Sequence, residues 1–482
     1  DVAGLFPLAH HASDRIHQPV LTSIDQLAKG TAVARQSCRH KRGIVVHGAV
    51  CRLDVLEAVK VPPRETCCIL SPPAEAVQSQ SYAPGSADQR GGGQWVIIAS
   101  MANGLDWIAG ELHKLEGAGL RRQVRTRVGP VGPRVTIDGR ELVDFSSNDY
   151  LGLAGDRRLT EASQACLEES GWGSGASPLV TGRTAIHAQL EACLAQFERT
   201  EASLLFPSGY AANTGTIAAL VGKQDAVFSD AKNHASIIDG CRYSGAARFV
   251  YRHLDCNHLE SLLCDAGQFR RRLIVTDTLF SMDGDLAPLA ALENLAKRYD
   301  AMLMIDEAHA TGVFGQTGRG VAEQAGLHGR IPIRIGTLSK ALGSAGGFVC
   351  GSQVLIDWLA NCARPYVFST AQPAAASAAA LAALQAIMAA PDRGAQLLQT
   401  AAHLRSRLHR LGWSTGRSAS QIIPLVVGDP QRAVRLSTVL AEAGYLVPDI
   451  RPPSVPVGES LLRLSLTTAH TPQMVDGLLL QL

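Results

Sequence analysis

None of the eleven cysteines forms a C-x-x-C pair, and Cys67 and Cys68 are direct neighbours in the chain. That spacing fits neither a thiolate zinc cage nor a disulfide framework, so a reducing, cytoplasmic setting is expected. Net charge is also small: 45 basic against 43 acidic residues leaves +2 over 482 residues. A balance of that kind gives no long-range field for a polyanion, which argues against nucleic acid as a partner. Long, strongly apolar runs are missing too. The most membrane-like window, Pro373 to Ala390, is mostly alanine with Ser377 and Gln385 inside it, and reads as a packed helix rather than a span.

The composition that remains, 46 % hydrophobic and 18 % charged, is that of a globular protein, and the length exceeds what one core normally serves. Residues 1–100 stand apart. Pro, Gly, Ser and Gln cluster from Pro72 to Gly93, periodicity is weak, and no methionine precedes Met101. The start Asp1-Val2-Ala3-Gly4 lacks a basic residue, and Asp14 and Asp25 argue against a transit peptide. The stretch is read as an extension dispensable for function.

From Met101 the pattern is regular. Gly104 to Val124 reads as an amphipathic helix, and Val135 to Val143 as a hairpin turning at Asp138-Gly139. Within 151–370, short apolar runs at Leu204–Phe206, Ala226–Ser229, Arg248–Tyr251, Leu273–Thr276, Ala301–Asp306 and Gly347–Cys350 alternate with helical stretches. That alternation predicts an α/β fold with a mainly parallel sheet covered by helices. Residues 371–482 open with an alanine-rich helix and carry strands at Ile422–Val427, Leu446–Val447 and Leu461–Leu466, which predicts a smaller α+β domain.

The chemistry centres on Gly336-Thr337-Leu338-Ser339-Lys340-Ala341, with Met304-Ile305-Asp306-Glu307-Ala308-His309 upstream. A lysine set among small residues after an apolar run can hold an aldehyde as a Schiff base, leave it and act as a base, which arginine cannot do. A strand-end carboxylate such as Asp306 can keep a pyridine nitrogen protonated. Together the two point to pyridoxal 5'-phosphate (PLP), although a lone lysine after a strand is more often a surface residue. Pro207-Ser208-Gly209-Tyr210 opens a helix and offers backbone amides to a phosphate. His234, in Asn233-His234-Ala235-Ser236, can stack on a flat ring. Ser281 lies in the turn Phe280 to Asp285, and His309 follows Asp306 closely enough to reach the ring's phenolic oxygen. Asp306 to His309 also matches a helicase motif, but that reading needs a Walker A loop, and Gly215 to Lys223 has the wrong spacing.

Taken in order, these motifs resemble the α-oxoamine synthases, PLP enzymes of fold type I, from about Met101 to Leu482. Ser146-Ser147-Asn148-Asp149-Tyr150-Leu151-Gly152-Leu153 and Gly173-Ser174-Gly175-Ala176-Ser177 belong to the same set. Leu179 to Gly182, Arg451 to Pro456 and Leu462 to His470 match the branch that condenses L-alanine with a pimeloyl thioester; glycine-using relatives differ there. The resemblance implies Lys340, His234 and Asp306 as catalytic residues. It implies Gly209, Tyr210 and Thr337 at the phosphate, and Ser281 and His309 near the phenolic oxygen. Ser369 and Thr370 would reach the phosphate of a neighbouring subunit, so a homodimer follows. Arg121, Asn148, Ser454 and Arg463 would contact substrate, with Ser454 standing where the family commonly has threonine. No metal is implied. The resemblance implies pimeloyl-CoA or a pimeloyl acyl carrier protein as acyl donor, and a glycine-using sister activity is the alternative.

Overall fold

The computed structural model describes residues 104–482, so the extension read at 1–100 lies outside the described residues. The first helix, Trp107–Gly117, is shorter than the periodicity predicts. Gly119 takes φ +66, a conformation that ends a helix readily, and residues 121–126 are irregular and exposed. Strands β1 (Arg127–Val128), β2 (Arg134–Ile137) and β3 (Arg140–Asp144) then pair antiparallel. Asp138 and Gly139 both have positive φ, 52° and 76°, the turn that an Asp-Gly pair favours between two strands.

Seven strands build the large sheet: β4 (Ala202–Phe206), β5 (Ala226–Asp230), β6 (Ala247–Tyr251), β7 (Arg272–Asp277), β8 (Met302–Asp306), β9 (Ile333–Thr337) and β10 (Gly347–Gly351). Their order is β4-β10-β9-β8-β7-β5-β6. β10 runs antiparallel to both neighbours, while the pairs from β9 to β6 are parallel. Adjacent residues bury on opposite faces. Leu204, Val227, Leu273, Met304 and Val349 join one core, and Leu205, Phe228, Ile274, Ile305 and Phe348 join the other. With both faces covered, nearly every position must be apolar, and each such side chain contributes about 1.5–3 kcal/mol by burial. β9 is the strand the apolar runs miss. Arg334 interrupts it, yet it is buried against Glu198, which burial raises to about 7 despite the opposing pull of the guanidinium.

The C-terminal part holds β11 (Ile422–Gly428), β12 (Tyr445–Leu446), β13 (Asp449–Ile450) and β14 (Ser460–Ser465). β11, β14 and β13 form an antiparallel sheet, whereas β12 lies parallel beside β3. The alanine-rich helix Ala374–Ala389 is largely buried. No single helix among the described residues is long and apolar enough to cross a membrane, and the one pair that passes by composition is bent by 77°.

Gly347 is where close approach decides the geometry, because a Cβ there would lie 2.5 Å from the Gly209 amide nitrogen. Gly347→Ala must therefore push the Gly209 helix off the sheet, costing roughly 1–3 kcal/mol. A lower melting temperature together with weaker PLP binding in a titration is the expected result; unchanged PLP affinity would show that the helix does not need this contact.

Candidate active site

Five parallel strands release polar residues at their C-terminal ends: β4 into Ser208–Tyr210, β5 into Asn233-His234, β7 at Asp277, β8 at Asp306 and β9 at Thr337–Lys340. Sites of open α/β sheets form outside these ends, because side chains there are carried by rigid backbone but face open space. The β7–β8 register sets Asp277 directly beside Asp306. Asp306 is buried; its Oδ2 accepts from Asn213 Nδ2 at 2.7 Å and its Oδ1 from the Ala308 amide at 2.8 Å. Asp277 Oδ2 accepts the His234 amide at 2.6 Å. Burial, then the Asp306 charge, raises the Asp277 carboxyl well above its ordinary value. The neighbouring Glu307 takes no part, since its carboxylate accepts from Thr278 Oγ1 and the amides of Val321 and Ala322.

Lys340 faces this carboxylate pair. Burial, with a smaller push from Arg463, lowers its ammonium to about 8 against the opposing pull of Asp306 and Asp277. An amine near neutrality can shed and regain its proton. His234 caps the helix Ala235–Ser244, with Nδ1 2.7 Å from Ser236 Oγ, and desolvation holds it below its ordinary value. His309, expected at a phenolic oxygen, is fully buried with Nδ1 2.6 Å from the Tyr150 hydroxyl. Burial and then Lys340 keep its imidazole neutral.

The helix Gly209–Leu220 is capped by Ser208, whose Oγ accepts the Ala211 amide at 3.1 Å. The amides of Gly209 and Tyr210 are thereby left with no acceptor inside the helix. A Cβ on Gly209 would sit 3.5 Å from Thr337 Cβ, so Thr337 fronts the helix start. The Tyr210 hydroxyl is committed elsewhere, donating to Asp239 at 2.6 Å, which with lesser effects raises it to about 12. Arg463, buried in β14, donates from Nε to the Ser281 carbonyl at 2.6 Å and from Nη2 to Asn148 Oδ1 at 3.1 Å, joining three of the sequence-derived positions. Ser281, His234 and Ser454 line one cleft of about 600 Å³.

Two expectations sit differently. Arg121 pairs with Glu116 at the surface, and it is Arg122 whose Nη2 approaches Ser454 Oγ, at 3.3 Å. Ser369 is half-buried and Thr370 exposed, on the segment after helix Arg364–Val367. Sequence reasoning passed over Asp277 and Asn213. Asp277 had the same signal as Asp306, an acidic residue closing an apolar strand; Asn213, within a helix, had none.

The class I and II aminotransferase model matches residues 140–482. An 8-amino-7-oxononanoate synthase of Anaeromyxobacter dehalogenans is 50 % identical over 381 residues, covering 79 % of this chain and 95 % of the relative. The chain belongs to the 8-amino-7-oxononanoate synthase family. Among solved structures, an 8-amino-7-oxononanoate synthase of Francisella tularensis aligns with TM-score 0.61 and 28 % identity, over 70 % of this chain and 96 % of its own. A serine palmitoyltransferase of S. paucimobilis with a bound PLP–myriocin aldimine aligns with TM-score 0.75 and 31 % identity, over 78 % and 96 %. PLP is the cofactor of this synthase family and of this chain. The residues fit it: a desolvated amine, a strand-end carboxylate backed by an amide, a neutral imidazole and open helix amides lie at adjoining strand ends.

His253 steadies the site from behind. Its Nδ1 is 2.8 Å from Asp230 Oδ1 and its Nε2 is 3.1 Å from Asp285 Oδ2, while the ring meets Phe280 edge-on at 4.5 Å. Burial lowers its basicity, but the two carboxylates more than offset this and lift the imidazolium to about 9. A folded value above the unfolded one means stability that is complete below about 6.5 and lost as pH rises through about 9. The full effect is on the order of 3 kcal/mol at most. The melting temperature is expected to fall between neutrality and pH 9.5, with a smaller fall in His253→Asn; equal falls would rule out this cation.

For Lys340 the expectation runs through its own titration. Covalent capture of PLP by the apoprotein should accelerate as pH rises through about 8, followed by visible absorbance, and should be lost in Lys340→Arg. A capture rate flat from pH 7 to 9 would contradict the desolvated amine.

Proposed function

We propose that this chain condenses L-alanine with a pimeloyl thioester, releasing the thiol and carbon dioxide and giving 8-amino-7-oxononanoate for biotin synthesis. The observation that carries the reading is the desolvated Lys340 amine facing the paired Asp306 and Asp277 carboxylates beside the cleft of about 600 Å³. PLP, when bound, supplies the electron sink for a carbanion at the alanine Cα.

The chain's own residues do the rest. Asp306, held by Asn213 and the Ala308 amide, keeps the proton on the pyridine nitrogen. His234 would stack on the ring of a bound PLP, and neutral His309, fixed by Tyr150, would serve its phenolic oxygen. Thr337 and the amides of Gly209 and Tyr210 hold the phosphate. Arg463 pairs with the alanine carboxylate, its fork aimed by Asn148 and the Ser281 carbonyl. Lys340 takes the Cα proton. The Cα electron pair attacks the thioester carbonyl, and the thiolate leaves and is protonated. The bond from Cα to the carboxylate then breaks, carbon dioxide departs, and Lys340 returns a proton to Cα. The Pro452, Val455 and Val457 side of the cleft suits an aliphatic acyl chain.

A homodimer completes the site in this reading, with Ser369 and Thr370 serving the phosphate of the second subunit. The helix Trp107–Gly117 supports it, since it buries no residue in one chain and exposes Trp107, Ile108, Leu112 and Leu115. Residues 1–100 are dispensable in this reading, and the cytoplasm is its setting.

The test uses protein from Met101 onward beside the full chain, with L-alanine and pimeloyl-CoA, following thiol release. Turnover that needs both substrates, prefers alanine over glycine, and falls by roughly 10²–10⁴-fold in Lys340→Ala is expected. Turnover with glycine but not alanine would shift the activity to a sister synthase. Near-normal turnover of Lys340→Ala would sink the mechanism.

A further inference from the structure

Three hydrogen bonds in sequence join Asp306 to the His234 imidazole through two residues that have no part in the chemistry above. Asn213, on the helix Gly209–Leu220, and Ser236, on the helix Ala235–Ser244, are 1 % and 0 % exposed. Asn213 Nδ2 donates to Asp306 Oδ2 at 2.7 Å and to Ser236 Oγ at 2.9 Å. Ser236 Oγ lies 2.7 Å from His234 Nδ1, and the Ser236 amide donates to the same nitrogen at 3.3 Å.

The proton positions along this chain follow from its two ends. Turning the Asn213 amide over would set its oxygen against the Asp306 carboxylate, so the nitrogen must face Asp306. Both amide hydrogens are then used, one on Asp306 and one on Ser236. The orientation is kept although it leaves Asn213 Oδ1 buried without a partner, which is destabilising by itself. At the other end, the Ser236 amide hydrogen points at His234 Nδ1, and a nitrogen carrying its own proton could not accept it. Nδ1 is therefore bare, and Ser236 Oγ, which already accepts from Asn213, gives it the hydroxyl hydrogen. The ring proton sits on Nε2, on a side chain that lines the cleft of about 600 Å³.

We infer that Ser236, oriented by Asn213, is a positioning residue that fixes His234 as the neutral imidazole with its proton on Nε2. The inference rests on the stacking role proposed above for His234 and assigns what sets that ring's protonation. Charge and tautomer both matter. A neutral imidazole can stack on a protonated pyridine, whereas an imidazolium would be repelled, and the other tautomer would turn a lone pair toward the cleft in place of a donor. Burial does most to keep the ring neutral, Lys340 adds to it, and Asp306 opposes both. Asp277 accepts the His234 amide, His309 lies in the same field, and Lys232 is paired with Asp283 and Glu459. Asn213, being an amide, ties Asp306 to Ser236 without carrying a proton between them.

The experiment uses full-chain holoenzyme with isotopically labelled histidine ring nitrogens, His234 being assigned by the signals lost in His234→Asn. Proton–nitrogen correlation spectra are expected to show Nδ1 unprotonated and Nε2 protonated from about pH 8 down to about pH 6. Ser236→Ala removes the hydroxyl donor that favours the neutral ring, so its proton affinity should rise roughly ten-fold, a pKa about one unit higher, with mixed tautomers. The acid limb of kcat/KM for L-alanine should move up with it, and Ser236→Thr, which keeps the hydroxyl, should retain the wild-type pattern. A wild-type spectrum with the proton on Nδ1, or on both nitrogens at neutral pH, would overturn the inference with no variant needed, so it stays refutable even where Ser236→Ala fails to fold. A folded, PLP-loaded Ser236→Ala whose tautomer and acid limb are unchanged would overturn it as well. Absence of thiol release from the wild type would instead break the condensation reading, while the spectrum, read without turnover, still decides the tautomer.

Discussion

The structure depends on two carboxylates forced side by side. β7 and β8 run parallel in a register that ends both on aspartate, so Asp277 and Asp306 leave the sheet together with no cation between them in the backbone scaffold. Two buried like charges repel and are poorly solvated, and the site relieves this in stages. The His234 amide, the Asn213 amide group and the Ala308 amide each donate to one oxygen, and the Lys340 ammonium lies in the field of both. The same field that a buried amine needs in order to stay charged is opposed by its own desolvation. Lys340 is consequently poised between its two protonation states.

Around that centre, most polar residues are spoken for twice over. Arg463 holds the Ser281 carbonyl and Asn148 at once; Tyr150 bridges His309 and Asn148. The turn from Phe280 to Asp285 is tied at its far end to His253, whose two ring nitrogens both face carboxylates and must both donate. Such supports fix rotamers that would otherwise be free, and a site built this way loses little order when a ligand arrives.

Much of this was legible in the chain. Continuous apolar runs between helical stretches identified a sheet covered on both faces, and β4 to β8 fall where those runs lie. The exception, β9, carries buried Arg334, a residue that pattern reading places outside and that its distant partners, the Glu198 carboxylate and the carbonyls of Glu198 and Arg319, make tolerable inside. The helix expected over Gly104–Val124 stops at Gly117 because periodicity continues through glycines that the backbone uses to turn. The strand expected at Leu446–Val447 appears as β12, but its partner is β3, some three hundred residues away in sequence, a pairing no local pattern encodes.

The sequence by itself determined the chemistry: a lysine among small residues, a strand-closing aspartate, a glycine-opened helix and a histidine at a strand end are residue types whose reactivity is local and whose spacing follows strand and helix length. Tertiary structure alone decided what acts with what. Asp277 joins Asp306 through sheet register, Asn213 reaches Asp306 from another helix, and Arg122 rather than Arg121 turns toward Ser454. The reason is physical: pKa, hydrogen-bond partnership and surface charge depend on distances and burial between residues far apart in the chain, and those quantities exist only once the sheet has closed.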